Sequence, residues 1–278
     1  MKVTPSGASC GAVVEDIDLR ELDDAGLERL RGVWLEHKVI GIAGQSLQIE
    51  DLERFAQRWG PFGDDPFILP IAGHPHVIEV RREPDERAPV FAGNWHSDWS
   101  FLASPPAATL LYGEIVPDRG GDTLFADLEA ALAALPAAQR EQLASLTAIH
   151  SARRSYAPDG RYGVADEGRS MRIVSSDDAR AQQRHPLVRT HPETGHQALF
   201  VSPAYTVGLA DTGNEQADEI LRPLFEHCGQ DRFVYRHSWS PGMLTIWDNR
   251  CLNHMATGGY EGQRRLLYRI TIGDRTAP

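Results

Sequence analysis

His96 and Asp98 stand two residues apart in the stretch Asn94-Trp95-His96-Ser97-Asp98-Trp99-Ser100-Phe101. In a β-strand that spacing projects both side chains to the same side, so an imidazole and a carboxylate would converge on one point. With a second, distant histidine they would form a two-His-one-carboxylate facial triad, which binds Fe(II) on one face and leaves the other positions open. His-x-Asp also arises by chance, so the distant partners must carry the argument. Met243 to Trp247 reads as a strand running into the polar turn Asp248-Asn249-Arg250, and His254 beyond it is the candidate third ligand. In Arg265-Leu266-Leu267-Tyr268-Arg269-Ile270-Thr271-Ile272, Arg265, Leu267, Arg269 and Thr271 share one face of a strand. Guanidiniums on the inner face of a core strand are costly unless paired with anions, and a bound dicarboxylate would supply them. His74 and His76 have the same spacing as His96 and Asp98, but they sit in a Gly-His-Pro-His turn without a carboxylate at ligand spacing and read as a surface turn.

The elements that must position these residues are mostly short strands. Val3 to Leu19 reads as short strands and turns, with further strands at Lys38 to Ile42, Val77 to Val80 and Ala107 to Ile115. Leu187 to Thr190, Gln197 to Val201, Phe233 to His237, Met243 to Trp247 and Leu266 to Ile272 complete the set, with His185, His191 and His196 as turn or strand-end residues. Helices are expected from about Asp23, carrying Leu27, Leu30 and Trp34, and from about Glu50, carrying Leu52, Phe55 and Trp59 and stopping at Gly60-Pro61. Asp127 to Leu146 reads as a helix broken at Pro136, and Asn214 to about His227 as another. Arg81-Arg82-Glu83 reads as a charged loop. Ser151 to Arg184 keeps neither period; a loop of that length inside a compact domain is usually functional or disordered, and an active-site lid is expected over 151–184. Short strands with a few covering helices predict a mainly β fold with flanking helices, a double-sheet jelly roll, rather than a parallel α/β sheet. No repeat or linker divides 1–278, so one domain is expected.

At 278 residues, 41% hydrophobic and 24% charged, the chain can build one large core. A net charge of -11 argues against nucleic acid or an anionic membrane as partner, since either needs a basic face. A small anion remains compatible, because a few buried arginines attract it locally. Cys10, Cys228 and Cys251 are odd in number and scattered, which indicates neither a disulfide framework nor a thiolate zinc site, and a reducing cytoplasm is expected. No apolar run is long enough to span a bilayer.

Trp95-His96-Ser97-Asp98, Pro105-Pro106-Ala107, Gly120-Gly121-Asp122-Thr123, His185-Pro186-Leu187-Val188-Arg189-Thr190-His191-Pro192, Trp247-Asp248-Asn249-Arg250, His254, and Arg265 with Arg269 together carry a resemblance. In order and spacing they resemble the taurine dioxygenase and aryloxyalkanoate dioxygenase family of Fe(II)- and 2-oxoglutarate-dependent oxygenases, over nearly the whole chain. The resemblance implies a double-stranded β-helix, the cupin-like jelly roll, and iron held by His96, Asp98 and His254. It implies that Thr123 and Arg265 take the distal carboxylate of 2-oxoglutarate, and that Arg269 lies at the substrate and cosubstrate side. It further implies consumption of O₂, release of succinate and CO₂, and hydroxylation of a small organic anion of the sulfonate, sulfate ester or aryloxyalkanoate class.

Several positions depart from the taurine pattern. Trp99 follows the Asp ligand where taurine dioxygenase has a small residue, and Tyr156 and Tyr205 replace pocket phenylalanines. The upstream residues that line the taurine site are replaced near Pro66 and Leu69. Arg81-Arg82-Glu83 and Phe101-Leu102 are closer to the aryloxyalkanoate branch. Trp99, Tyr156, Tyr205 and Arg269 are therefore the expected substrate residues. A homo-oligomer, dimer or tetramer, is expected. A biosynthetic hydroxylase of an amino acid or natural product, a zinc hydrolase and a non-catalytic jelly-roll sensor remain as alternatives.

Overall fold

Alternation along the strand Arg265–Ile272 separates two interiors: Tyr268, Ile270 and Ile272 point into one apolar cluster, Leu267 into another, and Arg265 and Arg269 line a cavity. The computed structural model describes residues 1–164, 166 and 168–275. Its larger sheet has seven strands, in spatial order Lys2–Pro5, Ala12–Glu15, Val39–Ile42, Leu244–Asp248, Ala108–Ile115, Arg265–Ile272 and Ile78–Arg82. All neighbours are antiparallel except Ala12–Glu15 beside Val39–Ile42. Opposite lies a three-stranded sheet in the order Val234–His237, Thr123–Asp127, Leu252–Ala256. Leu111, Trp247 and Leu267 of the large sheet share a core with Phe125 and Leu252 of the small one. This is the double-stranded β-helix, the jelly roll expected from the sequence.

The outer face of the large sheet is covered by the helices Asp24–His37 and Ile49–Trp59, whose Leu27, Leu30, Trp34, Leu52, Phe55 and Trp59 stripes pack on Ile40, Leu110, Ile246 and Ile270. Asp23 caps the first helix, accepting from the Gly26 N–H at 2.7 Å. The helix Asn214–Cys228 and the pair Leu128–Ala133 and Ala137–Ala144, separated around Pro136 as expected, flank the other core. The remaining strands form a three-stranded sheet, Thr206–Leu209, Thr147–His150, Gln183–Pro186, and the pair Gln197–Leu199 with Val188–Thr190.

Three sequence readings need correction. Arg81 and Arg82 are not in a loop; they belong to the strand Ile78–Arg82, paired with Leu266 and Arg265. Thr123–Asp127, Thr206–Leu209 and Leu252–Ala256 were not foreseen as strands, because runs of four or five residues buried on both faces, or unevenly, show no clean alternation; nor were Gln183–Pro186, which is polar, and Thr147–His150, whose burial alternates but with His150 inward and Ile149 outward. The stretch 151–184, of which 165 and 167 lie outside the described residues, is not a bare loop. It contains the helical turns Arg153–Tyr156 and Arg161–Val164 and the 3₁₀ turn Asp177–Arg180, and it buries Tyr156, Tyr162 and Met171 with Phe67, Trp99, Phe101 and Tyr205. Its aromatic residues are irregularly spaced and pack on partners distant in sequence, which no local period reports.

Candidate metal centre

His96 and His254 pair through their backbones, each N–H donating to the other's carbonyl at 3.0 and 2.7 Å, which sets their rings 4.1 Å apart. Asp98, two residues beyond His96, converges on the same point. His96 makes an isolated bridge to His254, and the chain turns from Asp98 onward, with Trp99 at φ 45°. Asp98 Oδ1 lies 3.6 Å from His96 Nε2 and 3.8 Å from His254 Nε2, and all three residues are buried. Cis ligands at roughly 2.1 Å from an ion are about 3 Å apart, so a small closure would complete one face of a coordination sphere.

The surroundings prepare each donor. His96 Nδ1 donates to the Asn94 carbonyl at 2.8 Å, which leaves the Nε2 lone pair free. Burial, with the adjacent His96, pushes the His254 pKa well below the usual histidine value, so its ring stays neutral, the ligating form. Burial alone would raise the Asp98 pKa, but the Arg269 guanidinium overrides it and holds the carboxyl well below the usual range. The Thr109 hydroxyl donates to Asp98 Oδ2 at 2.7 Å, so Oδ1 is the oxygen turned to the imidazoles. Thr109 in turn accepts from Asn249 Nδ2 at 2.9 Å, and Asn249 Oδ1 accepts from the Trp247 indole at 3.0 Å. The Trp247-Asp248-Asn249-Arg250 motif thus acts partly by orienting the Asp98 carboxylate.

The rest of that motif builds a separate buried ion network. Asp248 accepts from Arg250 Nε and Nη2 at 2.8 and 2.6 Å and contacts His191 Nε2 at 3.0 Å, and Arg250 continues to Glu193 and Arg31. His191, Asp248 and Cys251 lie close enough to suggest a second metal cluster, but both Asp248 oxygens are already spent on a guanidinium and an imidazole. His191 is therefore a buried network residue and not merely a turn histidine. His74 pairs with Glu53 at 2.9 Å and His76 stacks on Phe62, apart from the triad as the surface-turn reading expects.

The triad sits where two hollows meet, since His96, Asp98 and Arg269 line both. The larger is also lined by His254, Thr123 and Arg265. Arg265 is buried and has no carboxylate at ion-pair distance among the described residues; Nη2 donates to the Gly121 carbonyl at 3.2 Å and Nε has no partner. Burial pulls its pKa down. The Trp239 indole donates to Thr123 Oγ1 at 3.1 Å, which leaves the threonine's own hydrogen free for an acceptor. The Gly120-Gly121 turn is required by space: both have positive φ, a Cβ on Gly120 would come within 2.5 Å of the Gly259 backbone, and one on Gly121 within 3.2 Å of Arg265 Nε.

The second hollow is walled by Trp99, Tyr156, Tyr162, Tyr205 and Phe91, with Arg161 and Arg269 as its guanidiniums. Arg269 stacks 4.8 Å over the Trp99 ring, Trp99 lies 5.6 Å from Tyr156, and Tyr156 lies 5.1 Å from Tyr162. Arg269 differs from Arg265 in having protein anions on both sides, with Nη1 3.6 Å from Asp65 Oδ1 and Nη2 3.0 Å from Asp98 Oδ1. The Asp98 contact is short but misaligned, and Nε and Nη2 make no hydrogen bond. The structure therefore brings together His96, Asp98, His254, Thr123, Arg265, Arg269, Trp99, Tyr156 and Tyr205 around one space. Sequence reasoning missed Asp65, Thr109, Tyr162, Arg161 and Trp239. Only Asn249 had a signal, its place in the Trp-Asp-Asn-Arg motif.

The family model for the "Taurine catabolism dioxygenase TauD, TfdA family" matches residues 2–271. The chain is 30% identical over 272 residues to the (S)-phenoxypropionate/alpha-ketoglutarate-dioxygenase of Sphingobium herbicidovorans, covering 97% of this chain and 94% of that protein. It is 30% identical over 281 residues to the alpha-ketoglutarate-dependent sulfate ester dioxygenase of Pseudomonas putida, covering 98% and 89%. Among solved structures it is similar to a taurine dioxygenase from Burkholderia xenovorans, with a TM-score of 0.81 and 28% identity over 98% of this chain and 90% of that one. The chain belongs to the TauD, TfdA family, and it is an oxidoreductase that depends on alpha-ketoglutarate, that is, 2-oxoglutarate. The zinc-hydrolase and non-catalytic alternatives are set aside.

The groups this family requires fit the residues present. Three donor atoms lie within 4.8 Å of one another, with an ionised carboxylate and a free imidazole lone pair among them, as a divalent metal needs. The buried Arg265, with an unsatisfied Nε and no carboxylate partner, fits the distal carboxylate of 2-oxoglutarate.

Proposed function

We propose that the chain is an Fe(II)- and 2-oxoglutarate-dependent hydroxylase of a small organic anion with an apolar or aromatic body, drawn from the sulfonate, sulfate ester and aryloxyalkanoate classes. The carrying observation is the pair of hollows that meet at the triad, one with an unpaired guanidinium and the other walled by aromatic rings. Iron, 2-oxoglutarate and O₂, when bound, supply C–H hydroxylation with release of succinate and CO₂. His96, Asp98 and His254 would hold the iron, and Thr123 and Arg265 the distal carboxylate of the cosubstrate. Arg265 can offer a carboxylate its unused Nε donor, and Thr123 its unused hydroxyl hydrogen. Arg269 keeps Nε and Nη2 for an anion at the edge of the metal site. Trp99, Tyr156 and Tyr205 exclude water and hold the substrate body against that edge. Burial keeps both phenols neutral, so they contribute shape and dipoles and no charge. This filled aromatic wall favours an aryl or alkyl body over taurine. If the hydroxylated carbon bears a sulfonate, sulfate or aryloxy group, the product collapses and releases it.

The same reading treats 1–278 as one catalytic domain with 151–184 as its lid. It places the enzyme in the cytoplasm, as three free and buried cysteines support, and as a homo-oligomer, which sedimentation would test. No helix of the described residues is long and apolar enough to cross a membrane. The deciding experiment is anaerobic reconstitution with Fe(II) and 2-oxoglutarate, then aerobic turnover with alkanesulfonates, alkyl sulfate esters and aryloxyalkanoates, reading succinate. Succinate formation stimulated by at least one of these classes, and abolished in Asp98→Ala, is expected. No stimulation by any class would overturn the substrate assignment, and full activity in Asp98→Ala the metal assignment.

A further inference from the structure

Asp65 is partly buried beside the site, its side chain 11% exposed, though nothing in its surroundings in sequence marks it. Its carboxylate touches three groups from two elements: Oδ1 accepts from the Trp99 indole at 2.8 Å, Oδ2 accepts from the Thr271 hydroxyl at 3.0 Å, and Oδ1 lies 3.6 Å from Arg269 Nη1. Trp99 follows the ligand Asp98 directly, and Thr271 shares the strand face of Arg269. Arg269 therefore lies between two carboxylates, of which one faces the imidazoles and the other faces no histidine.

The position of that guanidinium matters to a cation. A free arginine beside a buried carboxylate closes into a two-bond fork, the strongest geometry open to it. Such a fork on Asp98 would commit Oδ1, the oxygen turned to His96 and His254, and would put a fixed positive charge where a metal must sit. Here the fork has not formed: Arg269 Nη2 is 3.0 Å from Oδ1 but misaligned, and its guanidinium carbon lies 4.8 Å from the centre of the Trp99 ring. Asp65 accounts for both features. Its charge draws the Nη1 side away from Asp98, and its bond to the indole fixes the ring on which Arg269 rests.

We propose that Asp65 is a positioning residue, a counter-charge that keeps Arg269 from pairing fully with Asp98 and so keeps that carboxylate available to the metal. This rests on the assignment of His96, Asp98 and His254 as ligands and goes beyond it. Residues that orient metal ligands change metal affinity about 10- to 100-fold when replaced.

The test is anaerobic calorimetric titration of the full-length apoprotein with Mn(II), a redox-inert probe, for wild type, Asp65→Asn, Arg269→Gln and the double variant. Asp65→Asn should weaken Mn(II) binding about tenfold. Asp65→Asn in the Arg269→Gln background should change nothing, because the competitor is gone, and Asp65→Glu should restore affinity toward wild type. Should the amide variant not fold, Asp65→Ser leaves a hydroxyl for the indole N–H and tests the same charge. Equal affinities in wild type and Asp65→Asn, or the same loss with and without Arg269, would overturn the counter-charge. A wild type that binds no Mn(II) would instead overturn the metal assignment on which it rests.

Discussion

Arg265 and Arg269 share a strand face and both are buried, yet the structure gives them opposite electrostatic states. Among the described residues Arg265 has carbonyl and aromatic neighbours and no carboxylate at ion-pair distance, whereas Arg269 has Asp65 and Asp98 within 3.6 Å. The sequence argument that both need ligand anions therefore holds for Arg265 alone. A buried guanidinium without a counter-charge is a large unsatisfied cost, and a ligand carboxylate relieves it. Arg265→Gln should raise the KM for 2-oxoglutarate about ten- to a hundredfold, the equivalent of losing a charge-assisted bond of about 1.5–3 kcal/mol, while the substrate KM moves little. Arg269→Gln should raise the substrate KM more than that for 2-oxoglutarate, and it should uncouple decarboxylation from hydroxylation. Titrating both ligands against both variants tests this; the same losses in all four titrations would mean that the arginines serve stability alone.

At the scale of elements, the stretch 151–184 is a packed wall held by a latch. Glu86 is almost wholly buried, with Oε1 3.5 Å from Arg82 and 3.6 Å from Arg169, while Oε2 accepts the Ser170 N–H at 2.9 Å. It therefore ties the stretch to the strand Ile78–Arg82, beside the larger hollow that Arg82, Glu86 and Arg169 all line. Removing one partner of a buried ion pair costs about 3–5 kcal/mol, far more than a surface pair. Glu86→Gln should therefore speed amide exchange across residues 168–172 at least tenfold, about 1.4 kcal/mol in local stability, with the helix Asn214–Cys228 unaffected. In the wild type, filling both hollows should slow the same amides if the wall acts as a lid. Exchange that ignores both the variant and the ligands would leave the stretch as fixed scaffold.

For the whole molecule, acid stability should be set partly by a histidine that is not one of the triad. His237 is enclosed between Tyr235 and Thr245 and contacts both through its ring nitrogens, and burial pushes its pKa down to about 4. The unfolded chain takes up this proton near about 6.5, so between these values the unfolded state binds more protons than the folded one. The contribution is complete above about pH 6.5 and is lost as pH falls toward about 4, by about 3 kcal/mol. Melting temperatures measured from pH 7.5 to 4.5, as chosen test points, should fall less steeply for His237→Gln than for wild type, even if the variant starts lower. Parallel curves would exclude His237 as the source.

Much of the site was legible in the chain because its chemistry depends on residue type and on short-range spacing. Two histidines and one aspartate can be picked out as candidates from residue type and order, Thr123 only through the family resemblance, and the period of two along Arg265–Ile272 placed both arginines on one face, as the structure has them. The jelly roll was legible for the same reason, from many short strands with few helices. The turn that begins at Asp98, with Trp99 in the left-handed region, was not. Nor were the partners of Arg269, the choice of Oδ1 over Oδ2, or the aromatic wall. Asp65 and Thr271 meet across 206 positions, and Asp98 and Thr109 meet between a turn and a strand. Local periodicity reports which way a side chain points; what it meets is decided by how the sheets and the 151–184 wall pack, and burial then turns those contacts into the charges that tune the site.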